Sequence, residues 1–168
     1  MVLKQYYDAL AAMATGNTIA IASYGGATYN VPGSNAQNLV KLYNGMSSVA
    51  AGTWANGVLF GSGDTPVSIA DNKLNSIISG LTGSGSVTKT YDAESGLTTI
   101  SSIITITNGG DTDVTIKEVG LNLNYTGNWA MLMDRTVLEA PITIPAGGGI
   151  GQVTYEIVLK HPTAAATT

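Results

Sequence analysis

The residues that could carry chemistry fall into small groups, and each lacks something its chemistry requires. Asp111-Thr-Asp113 and Asp92-Ala-Glu94 each set two carboxylates in a turn. Calcium takes about six to eight oxygens, and neither loop holds a ligand pattern of about 12 residues. Turn chemistry is the better reading, with a surface calcium at the Asn108–Asp113 turn left open. Gly61-Ser-Gly63 has the look of a phosphate cradle, but no Lys follows, and Thr65-Pro66 stands where a helix would have to begin. It reads as a tight turn, and Gly147-Gly-Gly149 with Gly151 fails similarly because a strand follows. His161 is the single histidine and cysteine is absent, so a transition-metal site lacks ligands. A Ser-His-Asp relay would have to recruit that one tail residue, and no Gly-x-Ser-x-Gly elbow exists. Paired carboxylates for glycoside hydrolysis stay open in a chain with eleven acids. The chain is read as a non-enzyme without a cofactor.

Eight Tyr and two Trp remain. Aromatic faces stack on sugar rings, and a sugar site would use Trp129 or Tyr125 with Asn122, Asn124 and Asn128. Tyr and Trp also build cores and subunit interfaces. Trp54 and Trp129 fall in predicted strands, which favours core or interface.

The elements that would position these residues change character along the chain. Leu3, Tyr6, Tyr7, Leu10 and Met13 have helical spacing and predict a helix over 3–14, ended by Gly16. Residues 18–24 predict a strand, Gly25-Gly26 a turn, and 27–31 its partner. Ser34 or Asn35 is the expected cap of a second helix over 36–44, closed by Gly45. From Trp54 onward the period falls from 3.6 to 2. Strands are expected over 54–61, 87–91, 97–107, 113–125, 129–133, 137–144 and through Val153, Tyr155, Ile157 and Leu159. Residues 67–69 and 74–78 are short apolar pieces, and 92–96 is a hairpin turn. Val114 and Ile116 have the opposite parity to Val119, Leu121, Leu123 and Tyr125. Both sets reach one core only through a bulge or bend near Lys117-Glu118. Pro141 belongs at an edge or bulge. The pattern predicts a mainly β fold: an antiparallel β-sandwich, jelly-roll or Ig-like, preceded by one or two short helices.

Charge is the remaining signal. Between Ala9 and Gly63 the one charged side chain is Lys41, and the whole chain is 11% charged, against about 25% in an ordinary soluble domain. Seven scattered Lys and Arg make no basic stripe, so the footprint of a nucleic-acid binder is missing. Asp8 interrupts any signal core, and no apolar run reaches about 18 residues, so no membrane partner is expected. Free surfaces ordinarily carry mixed charge. A surface this poor in charge suits a protein covered by neighbours, hence an expected homo-oligomer. Three parts are expected: 1–53 as a docking or oligomerisation segment, 54–160 as the β-sandwich, and 161–168 as a polar tail. Tyr6, Tyr7, Tyr24, Tyr29 and Tyr43 are the expected contact residues of the first part.

Two stretches also carry a resemblance. One runs from Trp54 through Gly61-Ser-Gly-Asp-Thr-Pro66 to Asp71 and Leu74. The other runs from Ile104-Thr-Ile-Thr-Asn-Gly-Gly-Asp111 through Glu118-Val-Gly-Leu121 to Leu132-Met-Asp-Arg-Thr-Val-Leu138. Pro141-Ile-Thr-Ile-Pro-Ala-Gly-Gly148 and Val153-Thr-Tyr-Glu-Ile157 complete it. Together they resemble the β-sandwich domain of small virion proteins of tailed bacteriophages, over residues 54–160. The resemblance implies a capsid decoration, head-fibre, minor capsid or tail protein, made in the host cytoplasm and located in the virion. The major capsid protein or other virion proteins would be its partners.

Overall fold

The computed structural model describes residues 1–50, 52–53, 55–126 and 129–160. Trp54, Asn128, His161, the expected 161–168 tail and the side chain of Tyr43 lie outside the described residues.

Helix α1 spans Lys4–Thr15 and ends at Gly16, whose φ of 71° makes a left-handed C-cap. Its buried face is Gln5, Tyr6, Ala9 and Ala12, while Tyr7 and Met13 are exposed. The expected Leu/Tyr/Met stripe is therefore rotated, because α1 is approached closely by α2. A Cβ on Gly33 would stand 2.3 Å from the Ala12 carbonyl oxygen, so only small residues fit this contact. A hairpin follows, β1 (Ile19–Ala22) and β2 (Thr28–Val31), turning at Gly25-Gly26 as expected. The single expected helix over 36–44 is instead two, α2 (Gly33–Val40) and α3 (Leu42–Met46), broken at Lys41. Pro32, in extended conformation, is the N-cap of α2, and neither Ser34 nor Asn35 caps it. Gly45 does not close a helix: it lies within α3, where a Cβ would meet Leu121 and Leu123 at 2.7 and 2.8 Å.

Six strands follow: β3 (Gly57–Gly61), β4 (Leu81–Asp92), β5 (Leu97–Asn108), β6 (Val114–Thr126), β7 (Trp129–Ile144) and β8 (Gly149–Lys160). They form two antiparallel sheets, a front sheet β3-β6-β7 and a back sheet β4-β5-β8. The fold is mainly β with helices at its N-terminal end, as the periodicity predicted. Strand β4 begins at residue 81, earlier than the expected 87, because Gly83 and Gly85 dilute the alternation there. The segments 129–133 and 137–144 are one continuous strand.

The parity switch takes the expected form. Ile116 pairs with Ile142, but Glu118 pairs with Val137, so the ladder slips between them and Pro141 sits in the irregular stretch. Ile116, Val119, Leu121 and Leu123 are consequently all buried in one core. That core joins both sheets to the helices: Phe60, Ile104, Leu121 and Ile157 share it with Ala9, Leu39 and Met46. The Ser102 hydroxyl, on β5, donates to the Met46 carbonyl at 2.6 Å. A second cluster, Leu3, Ala50, Leu59, Leu74 and Leu132, covers the other face of the front sheet. The front sheet is thus buried on both faces.

Candidate functional site

Glu118 follows Lys117 in β6, and Arg135 sits beside Asp134 inside the apolar run of β7. Both side chains point to the outer face of the front sheet and are sealed there at 1% exposure or less. Arg135 Nε and Nη2 lie 2.9 and 2.8 Å from Glu118 Oε2, and Nη1 lies 2.7 Å from Asp71 Oδ2. Nη2 also donates to the Thr65 carbonyl at 3.0 Å. The other Glu118 oxygen accepts from the Gly63 and Ser76 amides at 3.3 and 3.0 Å. Burial alone would lower the Arg135 pKa, but the hydrogen bonds and charges of Asp71 and Glu118 outweigh it and hold the guanidinium firmly charged.

This cluster explains Gly61-Ser-Gly63 better than a tight turn does. A Cβ at Gly61 or Gly63 would stand 2.5 or 2.6 Å from Glu118 Oε1. The glycines make room for the carboxylate. The cluster consumes its own donors and acceptors, so it fastens residues 62–80 to the sheet and leaves Glu118 and Asp71 no open acid–base pair. Glu118 and Arg135 carry a readable signal, charges set within strands rich in apolar residues, but nothing in the spacing says that they meet.

A second buried polar pair bridges the sheets. The Tyr155 hydroxyl on β8 donates to Asp134 Oδ1 on β7, and Asp134 Oδ2 lies 3.2 Å from the Met1 amine. Burial first, and then the Asp134 carboxylate, push the Tyr155 phenol well above its ordinary range.

The expected contact tyrosines do not form one patch. Tyr6 is buried on α1, with its ring edge-on to exposed Tyr7. Burial raises the Tyr6 pKa, with a smaller push from Tyr7. Tyr24 accepts the Leu74 amide at 3.2 Å through its hydroxyl, which makes it part of the packing of 62–80. Tyr29 lies against Trp129 with ring centroids 3.6 Å apart. Trp129 is partly exposed, and nearby Tyr125 accepts a bond from Asn35 Nδ2 at 3.4 Å. Asn122, one of the expected sugar ligands, is fully buried and donates to the Thr53 and Ala55 carbonyls at 2.7 and 3.1 Å. The backbone amide of Asn124 donates to Asn56 Oδ1.

One carboxylate of each expected turn, Asp113 and Asp92, is engaged locally. Asp113 accepts the Ala146 amide, and Asn108 bonds Gly110, Thr112, Ile144 and Pro145. Among the described residues no three His, Cys, Asp or Glu side chains gather as a metal site, and no helix is long and apolar enough to cross a membrane.

The back sheet presents the most open surface. Its outer face runs Thr82, Ser84, Ser86, Thr88 and Thr90 on β4, with Ile103 on β5 and Ile150 and Val158 on β8 exposed among small polar neighbours. No family model, curated protein or solved structure matches this chain.

Proposed function

We propose that this chain is a structural protein of a bacteriophage virion, a capsid-bound decoration or minor capsid protein that reinforces the assembled particle. In this reading the two sheets are a β-sandwich of the jelly-roll or immunoglobulin-like kind, and the protein catalyses nothing. The observation that carries it is a pairing of surface and scaffold. A charge-poor exterior lies on a rigidly fastened body, and such a surface packs against neighbours without costly charge desolvation. The resemblance of residues 54–160 to small phage virion proteins points the same way. Binding only to the assembled shell would stabilise that shell by mass action. Tyr7 and Met13, both exposed on α1, are better contact residues than Tyr6 or Tyr24, whose groups are engaged inside the fold. Quantitative mass spectrometry of purified source virions tests this. Hundreds of copies per particle support a shell role. A few tens or fewer move the protein to a vertex, fibre or tail, and complete absence overturns the reading.

A second reading, a tail or fibre module that binds carbohydrate, is favoured by the Tyr29–Trp129 pair with Tyr125 and Asn35 beside it. Sugar stacking there would shift Trp fluorescence and give hits on a glycan array, and silence in both removes it.

A further inference from the structure

Each sheet edge in this fold is managed except one. Strand β3 is met by Val49 in parallel and by Ile77. The first half of β7 is met by Val2, Leu3 and Tyr24, and its second half is distorted around Pro141 and carries Glu139. Strand β4 is bridged at Ser84 by Ser48, with Gly85 donating to the Ser47 carbonyl. Strand β8 pairs with β5 through twelve consecutive residue pairs without a shift, and among the described residues no other segment bonds its far side. It has no proline and no bulge, and its charges are Glu156 and Lys160. Natural proteins ordinarily guard such an edge.

We propose that β8 is a dimerisation edge, pairing antiparallel with β8 of a second copy about a two-fold axis through Thr154. The side chains select both occupant and register. Ile150 and Val158, 69% and 54% exposed, lie on the same outer face with Thr154 midway between them. A two-fold at Thr154 sets each Ile150 opposite the other copy's Val158, and Thr154 opposite itself. It also sets Glu156 opposite Gln152, so no like charges oppose each other. A shift of the axis by one residue toward the C-terminus puts Ile150 against Lys160 and by two puts Glu156 against Glu156, while a shift by one toward the N-terminus puts Ile150 against Glu156 and by two leaves Val158 opposite Ala146, outside the strand. Residues 149–159 then form a ladder about 35 Å long. Its main-chain hydrogen bonds and the two Ile150–Val158 pairs, more than buried area, would hold the two copies together. The two back sheets would merge into one sheet of six strands. The assembly reading above gives this dimer its purpose, while its existence rests on the edge alone.

The chain has no native cysteine, so crosslinking tests the register directly. Opposed residues in an antiparallel pair have Cα atoms about 4.5–5.5 Å apart, within disulfide reach. Thr154→Cys should oxidise to a covalent dimer, whereas Glu156→Cys, displaced from its own copy by four residues, should not. Sedimentation equilibrium of the unmodified full chain should show a concentration-dependent dimer. Ile150→Glu or Val158→Lys alone should weaken it at least tenfold, and the two changes together should restore it, since the new charges face each other across the axis. Circular dichroism confirms that each variant is folded. A unmodified chain that stays monomeric at several hundred micromolar, or a dimer that crosslinks equally well at both positions, overturns the proposal. Neither result bears on copies per virion, so the two tests fail separately.

Discussion

The two sheets of this protein treat their surfaces in opposite ways. The front sheet is covered on both faces, its edges are met by other segments, and its outer face is locked by the Arg135–Glu118–Asp71 cluster. The back sheet is buried on one face. Its other face is a field of Ser and Thr with exposed Ile103, Ile150 and Val158 and the charges of Glu156 and Lys160, and among the described residues no segment pairs with its β8 edge. The difference teaches that stability and association are assigned to different layers. A layer held by buried charges cannot easily change partners, while a layer with few charges can be covered at little desolvation cost.

The largest test of this division is Arg135→Ala. It strands Glu118, which is fully buried, without its cation. Breaking a buried pair by removing one partner costs about 3–5 kcal/mol. Urea unfolding should show a loss of that size, with residues 62–80 becoming protease-sensitive. Arg135→Met with Glu118→Leu should recover much of it. A loss under about 1 kcal/mol, as for an exposed pair, would erase the contrast between the sheets.

Gly61→Ala asks the same question sterically. The added methyl would stand 2.5 Å from Glu118 Oε1, and overpacking of this kind costs about 1–3 kcal/mol. A melting temperature equal to the parent chain would mean that the carboxylate has room to move, and that the cluster is looser than its distances indicate.

How much of this was legible beforehand follows from which interactions are local. Alternation is a near-neighbour property, so the strands, the 92–96 turn, the bulge beyond Ile116 and the place of Pro141 could be read directly. The break at Lys41 could not, because it depends on α2 and α3 packing separately against β6. Gly45 has the look of a helix boundary but is a contact point, since a glycine's role depends on what approaches it. The charge cluster was the largest omission. Asp71, Glu118 and Arg135 are far apart in sequence, and only the topology brings them together. Gly61, Gly63, Asp71, Glu118 and Arg135, which build this cluster, all lie within the stretches that carry the phage resemblance. They mark a scaffold and name no reaction. The tyrosine set rests on low local charge, a property that does not distinguish buried Tyr6 from exposed Tyr7.

Tyr155 joins the two layers and gives the comparison a pH dependence. Its phenol is raised well above the ordinary value of 10.0 by burial and then by Asp134. A raised folded-state pKa contributes stability that is complete below the unfolded value of about 10 and is lost as pH climbs toward the folded value. Stability measured in urea should therefore fall steeply above about pH 10. Tyr155→Phe should lower stability at neutral pH by about 1–3 kcal/mol, through the hydrogen bond taken from buried Asp134, and should flatten the alkaline slope. Part of the slope should persist, because burial also raises Tyr24 and Tyr6. An unchanged slope would mean that the sheets are not coupled through this pair.

The smallest effect is expected at the far end of the back sheet. Asp92 is fully exposed, and its carboxylate accepts from the Ser95 hydroxyl at 2.6 Å and from the Glu94 and Ser95 amides at 2.9 and 3.3 Å. The Ser95 hydroxyl first, then the two amides, hold its pKa below the ordinary 3.8. A depressed folded-state pKa contributes stability that is present above the unfolded value and is lost as pH falls through the folded one, so its pH dependence is confined to the acid side of pH 3.8. Asp92→Ala should leave the global melt nearly unchanged at pH 7, while amide exchange at Glu94 and Ser95 quickens because those donors lose their acceptor. If the whole molecule melted earlier instead, the tip of the back sheet would be part of the locked body, and the line drawn between a fastened layer and an open one would have to move.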